Sequence, residues 1–243
     1  MSDPTSEMTP LASPEIHHEH REVNGGWLRP TVFGMMDGLV SNFALMAGVA
    51  GASATTSQVT LAGWAGLVGG AFSMATGEYV SVQSQNESTR AEIEVERHEL
   101  EHNAEAELSE LTEMYIMRGV DADTAHRVAR QLSKDPDQAL LIHAQEELGV
   151  DPHQLPSPLT AAYSSLISFS VGALIPLIPY LLGARSVVIS AICAVLALFG
   201  AGALTSRFTV RGWRFAGGRQ LVLGVLAAAV TYGVGSLFHA ATG

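Results

Sequence analysis

The sequence predicts an all-α polytopic membrane protein with five transmembrane helices and a helical insert between the second and the third. Three observations predict it. Only 15% of the 243 residues are charged while 24 are Gly, and the mean hydropathy is positive, a balance unusual for a soluble domain. Five apolar windows, roughly 31–52, 59–82, 160–183, 186–206 and 217–240, approach the ~20 residues that cross a bilayer as a helix. Between the second and third windows stands a long polar stretch rich in Glu.

Four regions follow in order. Residues 1–29, opening MSDPTSEMTPLASPEIHHEH, lack a basic stretch leading into an apolar run, so no cleavable signal is expected and the segment reads as a flexible tail. Residues 30–84 hold the first two spans, 85–158 the insert, and 159–243 the last three spans. Positive charges orient the chain, because Lys and Arg near helix ends stay on the cytoplasmic side. Arg21 and Arg29 precede the first span; Arg90, Arg97, Arg118, Arg127, Arg130 and Lys134 lie in the insert; Arg207, Arg211, Arg214 and Arg219 follow the fourth span. Only Arg185 falls on the opposite side. The N-terminus and the insert are therefore expected in the cytoplasm, with Trp27 and Trp213 anchoring that interface.

Charge and cysteine content exclude other classes. A net charge of -11 is the wrong sign for a nucleic-acid partner. A lone Cys193 excludes an internal disulfide and a cysteine metal cage, which leaves oxygen, imidazole and thioether as metal donors.

Within the insert, no Gly or Pro interrupts Glu78 to Arg118, so the second span is expected to continue as one helix until Gly119. Asp121 and Asp123 cap a helix through about Leu132, and Asp135-Pro136 opens another that stops at Gly149. The run DPHQLPSP links back to the membrane. At about 100° per residue on an unbroken helix, Glu92, Glu96, Glu99, Glu107 and Glu110 share an arc of roughly 80°, beside an apolar stripe through Ile93, Leu100 and Leu111. A solvated acidic face is the ordinary reading of such a run. The competing reading is a metal site: like charges at i,i+4 cost a few tenths of a kcal/mol per pair, and a bound divalent cation reverses that sign. Clustered carboxylates suit Fe2+, Mn2+ or Mg2+.

Inside the bilayer, Asp37 in FGMMDGLVSNFALMAGVAGA is the informative residue, since a mid-span carboxylate costs about 2.5–3.5 kcal/mol and marks ion or proton pathways. Gly34, Ser41, Ala44 and Gly48 surround it at helical spacing, a small-residue face that another helix or subunit can approach. Met74, Glu78, Ser81 and Gln85 extend the glutamate arc into the second span as one polar track, and a thioether beside a carboxylate suits Fe2+. Pro176 and Pro179 are expected to bend the third span.

DGLVSNFALMAGVAGA, then GGAFSMATGEY, then SVGALIPLIPYLL, in that order around a long acidic insert, resemble the vacuolar iron transporter family of ferrous-iron and manganese exporters, from about residue 30 to the end. The resemblance implies a homodimer of five-span subunits that exports Fe2+, or Mn2+, from the cytoplasm by proton antiport, for iron detoxification or storage. It implies a transporter rather than an enzyme, without a prosthetic group, in a vacuolar membrane or a bacterial inner membrane. The family's intramembrane aspartate and methionine match Asp37 and Met74, and its cytoplasmic glutamates match Glu96, Glu99, Glu107 and Glu110. Its later ligands, two methionines and a glutamate, fall on His143, Ala144 and Glu147; histidine keeps a donor there and Ala144 does not. Gly66 stands where some relatives carry an acidic residue. The alternative reading is a membrane-tethered ferritin-like ferroxidase or iron-binding protein, on the spacing Glu99-x-x-His102, although such sites need the pair from each of two helices and the insert offers one.

Overall fold

Each apolar window forms a helix, and the polar stretch adds three shorter ones. The computed structural model describes residues 26–208 and 211–242. The helices are α1 (Leu28–Gly51), α2 (Thr56–His102), α3 (Ala104–Met117), α4 (Ala122–Leu132), α5 (Pro136–Glu147), α6 (Pro158–Leu181), α7 (Val187–Thr205) and α8 (Trp213–Thr242), with a 3-10 turn at Ser206–Phe208. No strand occurs among the described residues. Five helices, α1, α2, α6, α7 and α8, are long and apolar enough to cross a membrane. His17, His18 and His20 of the tail lie outside the described residues.

Local chemistry sets the helix starts. Thr55 and Gln58 form a reciprocal capping box at α2, with Thr55 N–H donating to Gln58 Oε1 at 2.8 Å. Asp121 caps α4 by accepting from Thr124 N–H, and Asp135 caps α5 ahead of Pro136 in the first turn. Ser157 caps α6, again with Pro next. Pro176 and Pro179 sit inside α6 without ending it, and the Pro176 carbonyl accepts Ser190 Oγ from α7 at 2.5 Å.

In the membrane-spanning bundle α1 is central, packed against α6 and α8. Glycine allows both crossings. A Cβ on Gly38 would collide with the Phe169 carbonyl and one on Gly172 with the Met35 carbonyl, so α1 and α6 meet backbone to backbone; Gly48 and Gly235 do the same for α1 and α8. The small-residue face expected around Asp37 is thus divided: Gly34 abuts α6, Gly48 abuts α8, and Ser41 lines a cavity. α7 and α8 turn Leu196, Val222 and Leu226 outward, the arrangement of helices solvated by lipid.

The long helix departs from expectation. α2 ends at His102, and Asn103, with φ −127° and ψ 34°, turns the chain before α3 begins. Neither Gly nor Pro causes the break. Asn103 still closes the α2 ladder, its backbone N–H donating to the Glu99 carbonyl at 2.7 Å and its side chain to Glu99 Oε2 at 2.5 Å, while its own carbonyl accepts Ala106 N–H at 2.8 Å and starts α3. Packing rewards the break. α3 leaves the α2 axis to lay fully buried Leu111 in the insert, where α3 contacts α4 and its buried Ala125 and Ala129, while Ile93 of α2 packs with Leu140 and Ala144 of α5. Asn86 is buried and donates to the Pro156 carbonyl at 2.8 Å, tying α2 to the start of α6.

Candidate metal site and intramembrane cavity

The break at Asn103 dissolves the single glutamate arc, and a tertiary cluster takes its place. Glu96 comes from α2, Glu107 from α3, and His143 and Glu147, one turn apart, from α5. One ligand atom from each lies within 4.8 Å of the others. His143 is fully buried, with Nδ1 at 2.9 Å from Glu147 Oε1, 3.0 Å from Glu96 Oε1 and 3.6 Å from Glu107 Oε2. Its hydrogen bond goes to Glu147, so Glu96 Oε1 is left buried without a donor, as is His143 Nε2 without a partner. A buried carboxylate oxygen lacking a donor is costly, and a cation among these three carboxylates and an imidazole relieves it.

Electrostatics agree with the geometry. Burial foremost, and then the Glu147 carboxylate, push the Glu96 carboxyl up to about 7. Burial likewise raises Glu107; His143 opposes the rise and Glu110 adds to it. The folded chain therefore holds a proton on Glu96 up to about pH 7 that the unfolded chain releases near 4.5. More protons bound in the folded state means that metal-free stability falls as pH rises through that window. We expect the melting temperature without metal to drop between pH 5 and pH 7.5, with a smaller drop in Glu96→Gln. Equal drops in both would remove Glu96 as the source.

The other expected ligands distribute as follows. Glu99 and Glu110 are close enough to Glu107 to raise its proton affinity but stand outside the four-residue cluster. Glu99 is occupied by Asn103, and Glu92 is exposed and also outside the cluster. Ala144 is wholly buried against Ile93 and Leu140 and offers no donor. His102 turns to His98, with ring centroids 4.0 Å apart and Nδ1 at 2.9 Å from the His98 carbonyl. The imidazole in the cluster is His143, so the Glu99-x-x-His102 pair does not assemble as a di-iron half-site.

A cavity of about 500 Å³ lies between α1 and α2, with Phe169 of α6 beside it. Asp37 and Ser41 face it from α1, and Met74, Glu78 and Ser81 from α2; Gln85 does not line it. Glu78 is 8% exposed although it belongs to a membrane-crossing helix. Sequence reasoning missed Asn42, which also lines this space at 1% exposure. Its Nδ2 donates to the Ala173 carbonyl at 2.7 Å, which fixes the amide and leaves Oδ1 buried without a partner. A Cβ on Gly66 would run into that Oδ1, so glycine leaves room beside the carbonyl oxygen. The only sequence signal was a polar residue one turn from Asp37 in an apolar window.

A model of the VIT family matches residues 28–236. Among curated relatives, a vacuolar iron transporter of Acanthamoeba castellanii is 41% identical over 236 residues, covering 90% of this chain and 82% of the relative. Vacuolar iron transporter 1 of Arabidopsis thaliana is 32% identical, covering 79% of each chain. Vacuolar iron transporter 1 of Oryza sativa subsp. japonica is 30% identical, covering 92% of this chain and 91% of the relative.

Proposed function

The chain belongs to the VIT family, and on that premise we propose that it carries ferrous iron, and Mn2+ as a second substrate, out of the cytoplasm in exchange for protons. The observation that carries this reading is the pairing of two metal-competent sites along α2: a largely buried His and Glu cluster to which its far end contributes Glu96, and a cavity with two carboxylates and a thioether beside its membrane end. The first collects the ion and the second passes it through the bilayer. The ferroxidase alternative loses its support, because relatives are named transporters and His102 faces away from the glutamates.

In this mechanism the metal-free cluster holds protons on its buried carboxyls, Glu96 foremost. Fe2+ arriving among Glu96, Glu107, His143 and Glu147 displaces them, so binding and proton release are one event. In the cavity, Asp37 and Glu78 neutralise the cation, Met74 adds a thioether, and the Asn42 amide oxygen supplies a neutral donor. Protons from the opposite face then reload Asp37 and Glu78 and release the metal. The cavity is walled chiefly by α1 and α2, and a second copy in a homodimer would close its open side. The arginines and lysine of the insert and the arginines of the α7–α8 connection support an orientation with the insert and N-terminus in the cytoplasm. Export of this kind serves iron detoxification or storage, across a vacuolar or a bacterial inner membrane.

The test is reconstitution. Proteoliposomes loaded with an Fe2+-quenched dye should take up Fe2+ faster when an imposed pH gradient opposes it and should alkalinise their lumen as metal enters. Uptake indifferent to the gradient would leave a uniporter; no uptake, with oxygen-dependent iron oxidation, would overturn transport.

A further inference from the structure

The end of α7 and the start of α8 carry a concentration of positive charge that metal transport does not use. Arg207, Arg211, Arg214 and Arg219 are all exposed. From Pro152 to Gly243 the sequence contains no Asp or Glu, and among the described residues none of the four makes an ion pair. Beside them a cleft of about 420 Å³ opens between the two helices. Its floor is Gly200, Ala203 and Leu204, and its mouth is Ser206, Arg207 and Trp213. A Cβ on Gly200 would meet no atom within 4 Å, so the floor is open space rather than packed core.

Aromatic residues organise the mouth. Trp213 stands edge-on to Phe199 with ring centroids 6.0 Å apart, and the Arg214 guanidinium lies 5.2 Å over Trp213. Arg211 lies 5.7 Å over Phe215. Trp213 and Phe215 are nonetheless 52% and 59% exposed. Exposed aromatics at the ends of membrane-crossing helices sit at headgroup depth, and arginines held against them face lipid phosphates rather than bulk water. An apolar floor below a cationic mouth is the complement of an amphiphile with one negative charge.

We propose that this cleft binds one anionic phospholipid of the surrounding leaflet. The phosphodiester meets Arg207, with Arg214 beside it on Trp213, and an acyl chain lies over Gly200 and Ala203. The forked guanidinium contacts two phosphate oxygens at once, which an ammonium does not. The occupant is lipid rather than a soluble anion because the floor is apolar and belongs to a helix long and apolar enough to cross the membrane.

Native mass spectrometry of the delipidated full-length protein tests this, with phosphatidylglycerol and phosphatidylcholine titrated in turn. The wild type should retain phosphatidylglycerol over phosphatidylcholine by about fivefold or more, the factor that one arginine contributes at an anionic surface. Gly200→Leu fills the floor and leaves every charge in place; Arg207→Lys keeps the charge and removes the fork. Both should abolish most of the preference, whereas Arg219→Lys, outside the cleft, should keep it. Helicity and melting in neutral detergent confirm that Gly200→Leu is folded. Undiminished preference in Gly200→Leu and Arg207→Lys, or equal loss in Arg219→Lys, would reduce the effect to diffuse charge and overturn the site. Displacement of the lipid by millimolar inorganic phosphate would make a soluble anion the ligand and overturn it equally.

Discussion

Asp37→Asn should abolish gradient-driven Fe2+ uptake into proteoliposomes, with a fall in rate of about 100-fold or more. Asp37 and Glu78 are the two carboxylates of the intramembrane cavity, and a divalent ion entering that space needs both to reach neutrality. A carboxylate near the centre of a span costs about 2.5–3.5 kcal/mol, a burden that the proposed charge-handling role offsets. The amide is the same size and preserves packing against Phe33 and Ser41, so the fold should survive. It neither takes up a proton at neutral pH nor cancels positive charge, and both halves of the exchange fail together. Metal binding by the distant cluster, followed by calorimetry with Mn2+, should be unchanged. Uptake within twofold of the wild type would sink the role assigned to Asp37.

The double variant Glu96→Gln with Glu107→Gln should weaken metal binding by about 100-fold, the upper end of what disrupted metal environments usually cost. Its second signature runs the other way. Without metal the two carboxylates are desolvated and repelled by Glu147 and Glu110, so neutral amides should raise the melting temperature of the metal-free protein. Added Mn2+ should then stabilise the wild type and leave the variant where it was. A merely structural role for these glutamates would lower stability in both conditions. Unaltered Mn2+ affinity would remove the cluster from the transport scheme, while saturating Fe2+ should still drive some uptake through the intact cavity.

Much of this was legible in the sequence, for identifiable reasons. The five membrane helices stand within a few residues of the apolar windows because apolar length alone decides membrane crossing. Asp121, Asp135 and Pro136 mark helix starts by side-chain chemistry that acts within one turn. The break at Asn103 was not legible, because it satisfies α3 packing on α4, and no local breaker announces it. That one residue also changes how the glutamates of α3 meet those of α2. Glu92 and Glu110, on the continuous-helix arc, drop out of the four-residue cluster, and α5 brings His143 and Glu147 into it. Asn42 was invisible because the room around its buried, unpartnered carbonyl oxygen depends on the absence of a side chain at Gly66, on another helix.

One length follows from the fold. α2 is unbroken from Thr56 to His102, and Glu96 stands eighteen residues beyond Glu78, so at 1.5 Å per residue about 27 Å separate the collecting cluster from the cavity. No side chain spans that interval, and an ion cannot be handed directly across it. In the proposed scheme it dissociates from the cluster, diffuses and is recaptured. The useful property of the cluster is then its release rate rather than its grip. A cluster engineered to bind iron more tightly should retain each ion longer and feed the cavity more slowly.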